Sequence, residues 1–171
     1  ERPGRGVTVS AMGINGAQLS QWSKWRPGMW EDLAQTKADL IILAYGTNEA
    51  FSGNLDISST ERTWRNYIRQ IKNTLPNAGI LILGAPESLK TAYGSCGNRP
   101  VLLSEVQQMQ QRVAHDEKIM FWSWQDAMGG ACSMKNWMAQ GLAAKDGVHF
   151  SAQGYETAAD KLADSLIRFA Q

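Results

Sequence analysis

Two strand-length apolar runs, Asp39 to Tyr45 (Asp-Leu-Ile-Ile-Leu-Ala-Tyr) and Gly79 to Ala85, stand on either side of a segment with helical periodicity. A strand that is apolar at nearly every position must be covered on both faces, which calls for a parallel sheet with helices packed against it. The intervening segment supplies such a helix. Trp64, Ile68, Ile71 and Leu75 recur at helical intervals, Ser58 and Glu61 stand at capping-box spacing, and Pro76 ends the run. A third apolar run, Lys118 to Trp122, follows another amphipathic helix marked by Val106, Met109 and Val113. Ahead of these, Val7 to Met12 reads as a short strand, and Ala17 to Thr36 as helical on either side of Pro27-Gly28. Pro86 to Pro100 has no periodicity and reads as a long loop. Near the end, Ser151 is placed to cap a helix whose Tyr155, Ala159, Leu162 and Leu166 share a face. The order β-α-β-α-β-α-β-α predicts a doubly wound α/β domain with a parallel sheet flanked by helices.

Composition narrows the function classes. With 171 residues, 43% of them hydrophobic, the chain is long enough for one domain with a sizeable core. No apolar run approaches the roughly 18 residues of a spanning helix. A net charge of +1, with Lys and Arg scattered, indicates neither nucleic acid nor an anionic membrane as partner. Cys96 and Cys132 both lie in Gly- and Ser-containing stretches; they are either a disulfide, in an oxidising compartment, or two free thiols. A metal site is disfavoured because no Cys-x-x-Cys or His cluster accompanies them.

In doubly wound sheets ligands bind beyond the carboxyl ends of the strands. Three polar motifs fall there. Gly13-Ile14-Asn15-Gly16 follows the first strand, Gly46-Thr47-Asn48-Glu49 follows the second, and Asp146-Gly147-Val148-His149 precedes the last helix. A carboxylate three residues before a histidine can accept the Nδ1 proton and leave Nε2 free as a base, so Asp146 and His149 are a candidate base and its orienter. The Asn48 amide and the Gly16 backbone N–H are candidate donors to the oxyanion of a tetrahedral intermediate. Glu49 reads as a residue beside the cleft or one that holds the loop, with no chemical role. Each of these residues also has a plain alternative as a turn or capping residue. His115, among Arg112, Asp116, Glu117 and Lys118, reads as part of a solvated helix end. Of the seven tryptophans, Trp64 and Trp122 fit core positions, whereas Trp22, Trp25 and Trp137, in polar surroundings, are candidates for a glycan groove.

The segments Ile14-Asn15-Gly16, Gly46-Thr47-Asn48 and Asp146-Gly147-Val148-His149-Phe150-Ser151 resemble the second, third and fifth blocks of the SGNH (GDSL-type) hydrolases. More narrowly, these blocks together with Trp22-Ser23-Lys24-Trp25 and Gly84-Ala85-Pro86-Glu87-Ser88 resemble Gram-negative peptidoglycan O-acetylesterases. The resemblance runs from about Val7 to the end and implies a flavodoxin-like sheet. It also implies a periplasmic or otherwise exported serine esterase that removes O-acetyl groups from muramoyl residues of the cell wall, with no cofactor. On this reading residues 1–171 are the C-terminal portion of the hydrolase domain, and the catalytic set is His149, Asp146, Asn48 and Gly16.

The block that carries the nucleophile, Gly-Asp-Ser, occurs nowhere in the sequence. In the family it lies upstream, on a central strand and ahead of an inserted carbohydrate-binding module. The sheet is therefore expected to be incomplete at its N-terminal side: either the missing strand, with the serine, comes from an associating segment or another polypeptide, or the fold is rearranged at its edge. Two other readings remain. The chain is a non-catalytic glycan-binding or structural fragment; or Asp146, His149 and Glu49 bind a metal, although the further histidines of such sites are absent.

Overall fold

The apolar runs pair with one another. In the computed structural model, which describes residues 6–169, strands β1 (Leu40–Leu43), β2 (Gly79–Leu83) and β3 (Met120–Trp122) form one sheet in that order. Both pairs are parallel: Leu40 to Leu43 lie opposite Gly79 to Ile82, and Leu81 to Leu83 opposite Met120 to Trp122.

A 3₁₀ helix at Leu19–Lys24 and α1 (Met29–Thr36) precede β1, and the short α2 (Thr47–Phe51) follows it. The crossovers α3 (Ile57–Thr74) and α4 (Leu103–Asp116) pack on each other. Right-handed crossovers between successive neighbouring strands place both helices on one face of the sheet. Beyond β3 come α5 (Trp124–Met128), α6 (Ser133–Ala139) and α7 (Ala152–Phe169).

The main core is the stripe of α3 (Trp64, Ile68, Ile71) and that of α4 (Leu103, Val106, Met109, Val113) closed over Leu43, Ile80 and Ile82 of the sheet. A second cluster, with Leu89, Met128, Met134, Trp137, Phe150 and Ala158, gathers around α5 to α7.

Four expectations change. Val7 to Met12 is not a strand: it has no ladder partner among the described residues, and Val7 and Val9 are 91% and 85% exposed. Strand conformation gains little without a neighbour to satisfy its N–H and C=O groups. The cap of α3 is Asp56, whose Oδ1 accepts the Ser59 N–H, and Ser58 lies inside the first turn. Its end agrees with Pro76, since Leu75 leaves helical geometry, as residues before proline do. The buried stripe of α7 runs through Gly154 and Ala158, leaving Tyr155 half exposed and Ala159 exposed. Trp137, expected in a groove, is instead core, 5% exposed, its indole N–H donating to the Met128 carbonyl.

Cys96 and Cys132 are joined across 36 residues. The bond ties the 86–100 loop, itself closed by a bridge between Thr91 and Asn98, to the start of α6.

Gly154 lets α7 approach the loop before it. A Cβ at this position would lie 1.9 Å from the Leu142 carbonyl oxygen. Alanine ordinarily stabilises a helix interior over glycine by about 1 kcal/mol. Here the sign reverses: Gly154→Ala is expected to destabilise by roughly 2 kcal/mol, within the range for overpacking. Urea unfolding measures it, and a variant as stable as the parent would show that α7 does not dock this closely.

Candidate active site

The carboxyl ends of β1 and β2 are joined by one side chain. Gln110 of α4, fully buried, donates from Nε2 to the Tyr45 carbonyl at 2.7 Å and accepts the Ala85 N–H at 2.8 Å. Beside it the chain turns sharply at Gly46, whose φ is +121°. A Cβ there would meet Gln110 Nε2 at 2.7 Å and the Ala85 side chain at 2.9 Å, so the turn depends on glycine for both conformation and space.

This turn presents Asn48 in the first turn of α2, with its side chain exposed. Asn48 Nδ2 donates to the Ala17 carbonyl at 3.0 Å, and Gln18 Nε2 donates back to the Asn48 carbonyl at 3.2 Å. An amide has two N–H bonds, so the second stays available to a ligand. The structure thereby brings Asn48 against the loop that carries Gly16, which is exposed and adopts φ +75°.

Under both loops lies Glu49, 1% exposed. Its Oε1 accepts the Leu19 N–H at 2.9 Å and its Oε2 the Gly46 N–H at 2.9 Å. Burial raises its pKa above the ordinary value, opposed by hydrogen bonds from the backbone of Leu19, Glu49 and Gly46.

Asp146 and His149 form the second group. Asp146 Oδ1 accepts the backbone N–H of Val148 at 2.8 Å and of His149 at 2.9 Å, while Oδ2 lies 2.8 Å from His149 Nδ1. A carboxylate can only accept, so Nδ1 carries the proton and Nε2 presents its lone pair outward. The His149 and Asp146 side chains are 73% and 50% exposed. Hydrogen bonds from the His149 backbone and side chain and the Val148 backbone lower the Asp146 pKa from 3.8 to about 2.

The hairpin from Ala143 to Phe150 holds this loop, with the Ala144 N–H donating to the His149 carbonyl. Gly147, at φ +71°, packs so closely that a Cβ would lie 2.9 Å from that of Leu89. The Leu89 N–H donates to the Gly147 carbonyl at 2.8 Å.

The segment beyond β2 thus leads from Ala85, at the first group, to Leu89, at the second. Between them Glu87 is fully buried. The Arg99 guanidinium lies 2.7 Å from its Oε1, and Gln125 Nε2 and the Cys132 N–H also donate to its carboxylate. No hydrogen bond joins the two groups directly among the described residues; the sheet edge and this segment relate them.

Motif reading does not reveal Gln110, and for Glu49 and Glu87, which stand in the Gly46–Glu49 and Gly84–Ser88 motifs, it gives no partners. A polar residue on an apolar helical stripe, as Gln110 is beside Val106, Met109 and Val113, was the available signal. Asp146, His149 and Glu49 do not form a metal cluster among the described residues. Trp22 stacks on Trp25, ring centroids 4.9 Å apart, and both line a cavity of about 370 Å³ with Trp30 and Tyr67.

A family model described as GDSL-like Lipase/Acylhydrolase matches residues 1–157. A peptidoglycan O-acetylesterase structure is 68% identical, with a TM-score of 0.93 over 94% of this chain and 46% of that one. The chain therefore spans about half the length of that relative. An acetyl xylan esterase (16% identity, TM-score 0.69, 90% of this chain and 78% of that one) shares the fold. So does an acetylxylan esterase from Geobacillus stearothermophilus (18% identity, TM-score 0.63, 91% of this chain and 68% of that one). No curated protein matches.

The depressed Asp146 pKa has a definite sign. Its hydrogen bonds stabilise the loop fully above the ordinary carboxylate range and lose that contribution as pH falls through about 2. Carboxyl ¹³C shifts are expected to place the Asp146 midpoint near 2. An ordinary midpoint would mean that the loop does not hold its carboxylate in this way.

Proposed function

The chain belongs to the GDSL-like lipase/acylhydrolase family, and from that premise we propose that it provides the base, its orienter and the oxyanion donors of a serine O-acetylesterase acting on peptidoglycan. The observation that carries this reading is the 2.8 Å approach of His149 Nδ1 to Asp146 Oδ2 in a loop whose other carboxylate oxygen is held by two backbone N–H groups. Asp146 is thereby fixed by the backbone before it orients the imidazole.

The reaction follows from these positions. A serine Oγ attacks the acetyl carbonyl as His149 Nε2 takes its proton, and the Gly16 N–H and the Asn48 amide hold the oxyanion. Collapse expels the sugar oxygen, which receives the proton from His149. Water, activated by the same Nε2, then releases acetate from the serine.

On this reading the serine is supplied by a segment outside these 171 residues, which hold no Gly-Asp-Ser. The side of β1 that has no neighbouring strand among the described residues, where Ile42 is 43% exposed, leaves room for such a strand. The 68% identity to a peptidoglycan O-acetylesterase supports O-acetylated glycan as substrate. The Cys96–Cys132 disulfide supports an exported, periplasmic setting. Among the described residues no helix is long and apolar enough to cross a membrane.

A glycan-binding fragment is the second reading, favoured by the aromatic cavity of Trp22, Trp25, Trp30 and Tyr67. Kinetics separate the two. In the full-length protein, Asn48→Ala is expected to lower turnover of O-acetylated peptidoglycan roughly 10²-fold with little change in folding. A serine-directed phosphonate is expected to label the wild type much faster than His149→Ala, and equal labelling would remove His149 from the mechanism. Turnover of p-nitrophenyl acetate by the 171 residues alone would instead place the nucleophile among their own serines.

A further inference from the structure

Glu49 is a buried ionisable group that the proposed reaction does not use. One oxygen holds the N–H of Leu19, three residues beyond Gly16; the other holds the N–H of Gly46, two residues before Asn48. One carboxylate therefore spans the two loops that carry the proposed oxyanion donors. The other links between them, Asn48 Nδ2 to the Ala17 carbonyl and Gln18 Nε2 to the Asn48 carbonyl, are exposed and compete with water. Among the described residues, only Glu49, 1% exposed, joins the loops through buried hydrogen bonds.

We propose that Glu49 is a positioning residue that sets the separation of the Gly16 N–H and the Asn48 amide for the oxyanion. The inference rests on the oxyanion assignment made above. A carboxylate suits the task because it offers two acceptors of fixed separation and no donor. Both partners are backbone N–H groups, and hydrogen bonds to an ionised acceptor are shorter and stronger than neutral ones.

Glutamine keeps the shape but turns an NH₂ toward one of the two N–H groups, so one bond becomes a donor–donor clash. Aspartate keeps the charge but is one methylene too short to reach both at once. Either change shifts one loop relative to the other without altering the residues Asn48, Gly16, His149 and Asp146 themselves.

Misplaced oxyanion donors weaken transition-state binding and leave ground-state binding almost unchanged, so the loss is expected in kcat and not in KM. The experiment uses the full-length protein, O-acetylated peptidoglycan as substrate, and a serine-directed phosphonate run to completion to count functional sites. Turnover per titrated site excludes unfolded molecules, which separates positioning from a general loss of structure.

For Glu49→Gln, kcat per titrated site is expected to fall roughly 10-fold or more, by analogy with loss of one oxyanion donor, with KM within about twofold. Glu49→Asp is measured the same way and decides the matter if the glutamine variant does not fold. Unchanged kcat per titrated site in the folded variant overturns the proposal. A loss confined to KM overturns it too. Asn48→Ala serves as the reference: if it loses turnover and the Glu49 variants do not, only the positioning role fails. If Asn48→Ala also keeps its turnover, the oxyanion assignment itself fails.

Discussion

Where a parallel strand ends inside a protein, its last N–H and C=O groups lose their ladder partners while still shielded from water. An unpaired buried polar group costs on the order of 1–3 kcal/mol, so something must reach in to satisfy it. At the carboxyl edge of this sheet Gln110 does so, and two further buried side chains satisfy N–H groups of the neighbouring loops and helix starts. Gln110 joins Tyr45 to Ala85, Glu49 joins Leu19 to Gly46, and Glu87 accepts the Cys132 N–H while paired with Arg99. The loops that bear Asn48, Gly16 and His149 stand on this set of bonds.

Much of that arrangement was legible because it follows periodicity. The apolar runs located β1, β2 and β3, and the stripes of Trp64, Ile68 and Ile71 and of Val106, Met109 and Val113 located the helices that cover them. The Asp146–His149 pairing was legible for a local reason, since three residues fit a single turn. Long-range contacts were not. No spacing rule connects Gln110 with Tyr45, or Leu89 with Gly147, because the topology of the sheet alone makes them neighbours. Val7 to Met12 was misread for a related reason: alternation marks a segment able to be a strand, but a neighbour makes it one.

The two carboxylates nearest the proposed chemistry are perturbed in opposite directions by different causes. Asp146 is open to solvent and lowered by the N–H groups of its own turn and by His149. Glu49 is buried and raised, desolvation outweighing the backbone bonds that oppose it. Exposure leaves Asp146 beside the base with little desolvation penalty, and burial hides Glu49 from any ligand in the cleft. Neither direction follows from residue type, and both follow from which strand end or turn the residue occupies.

Among the described residues one side of β1 has no neighbouring strand. A short apolar strand such as Leu40–Leu43, with a row of backbone N–H and C=O groups along one side, is a template for pairing with an extended segment, as sheet edges are in general. Taken alone at high concentration, these residues are therefore expected to self-associate through the strand next to the proposed catalytic cleft.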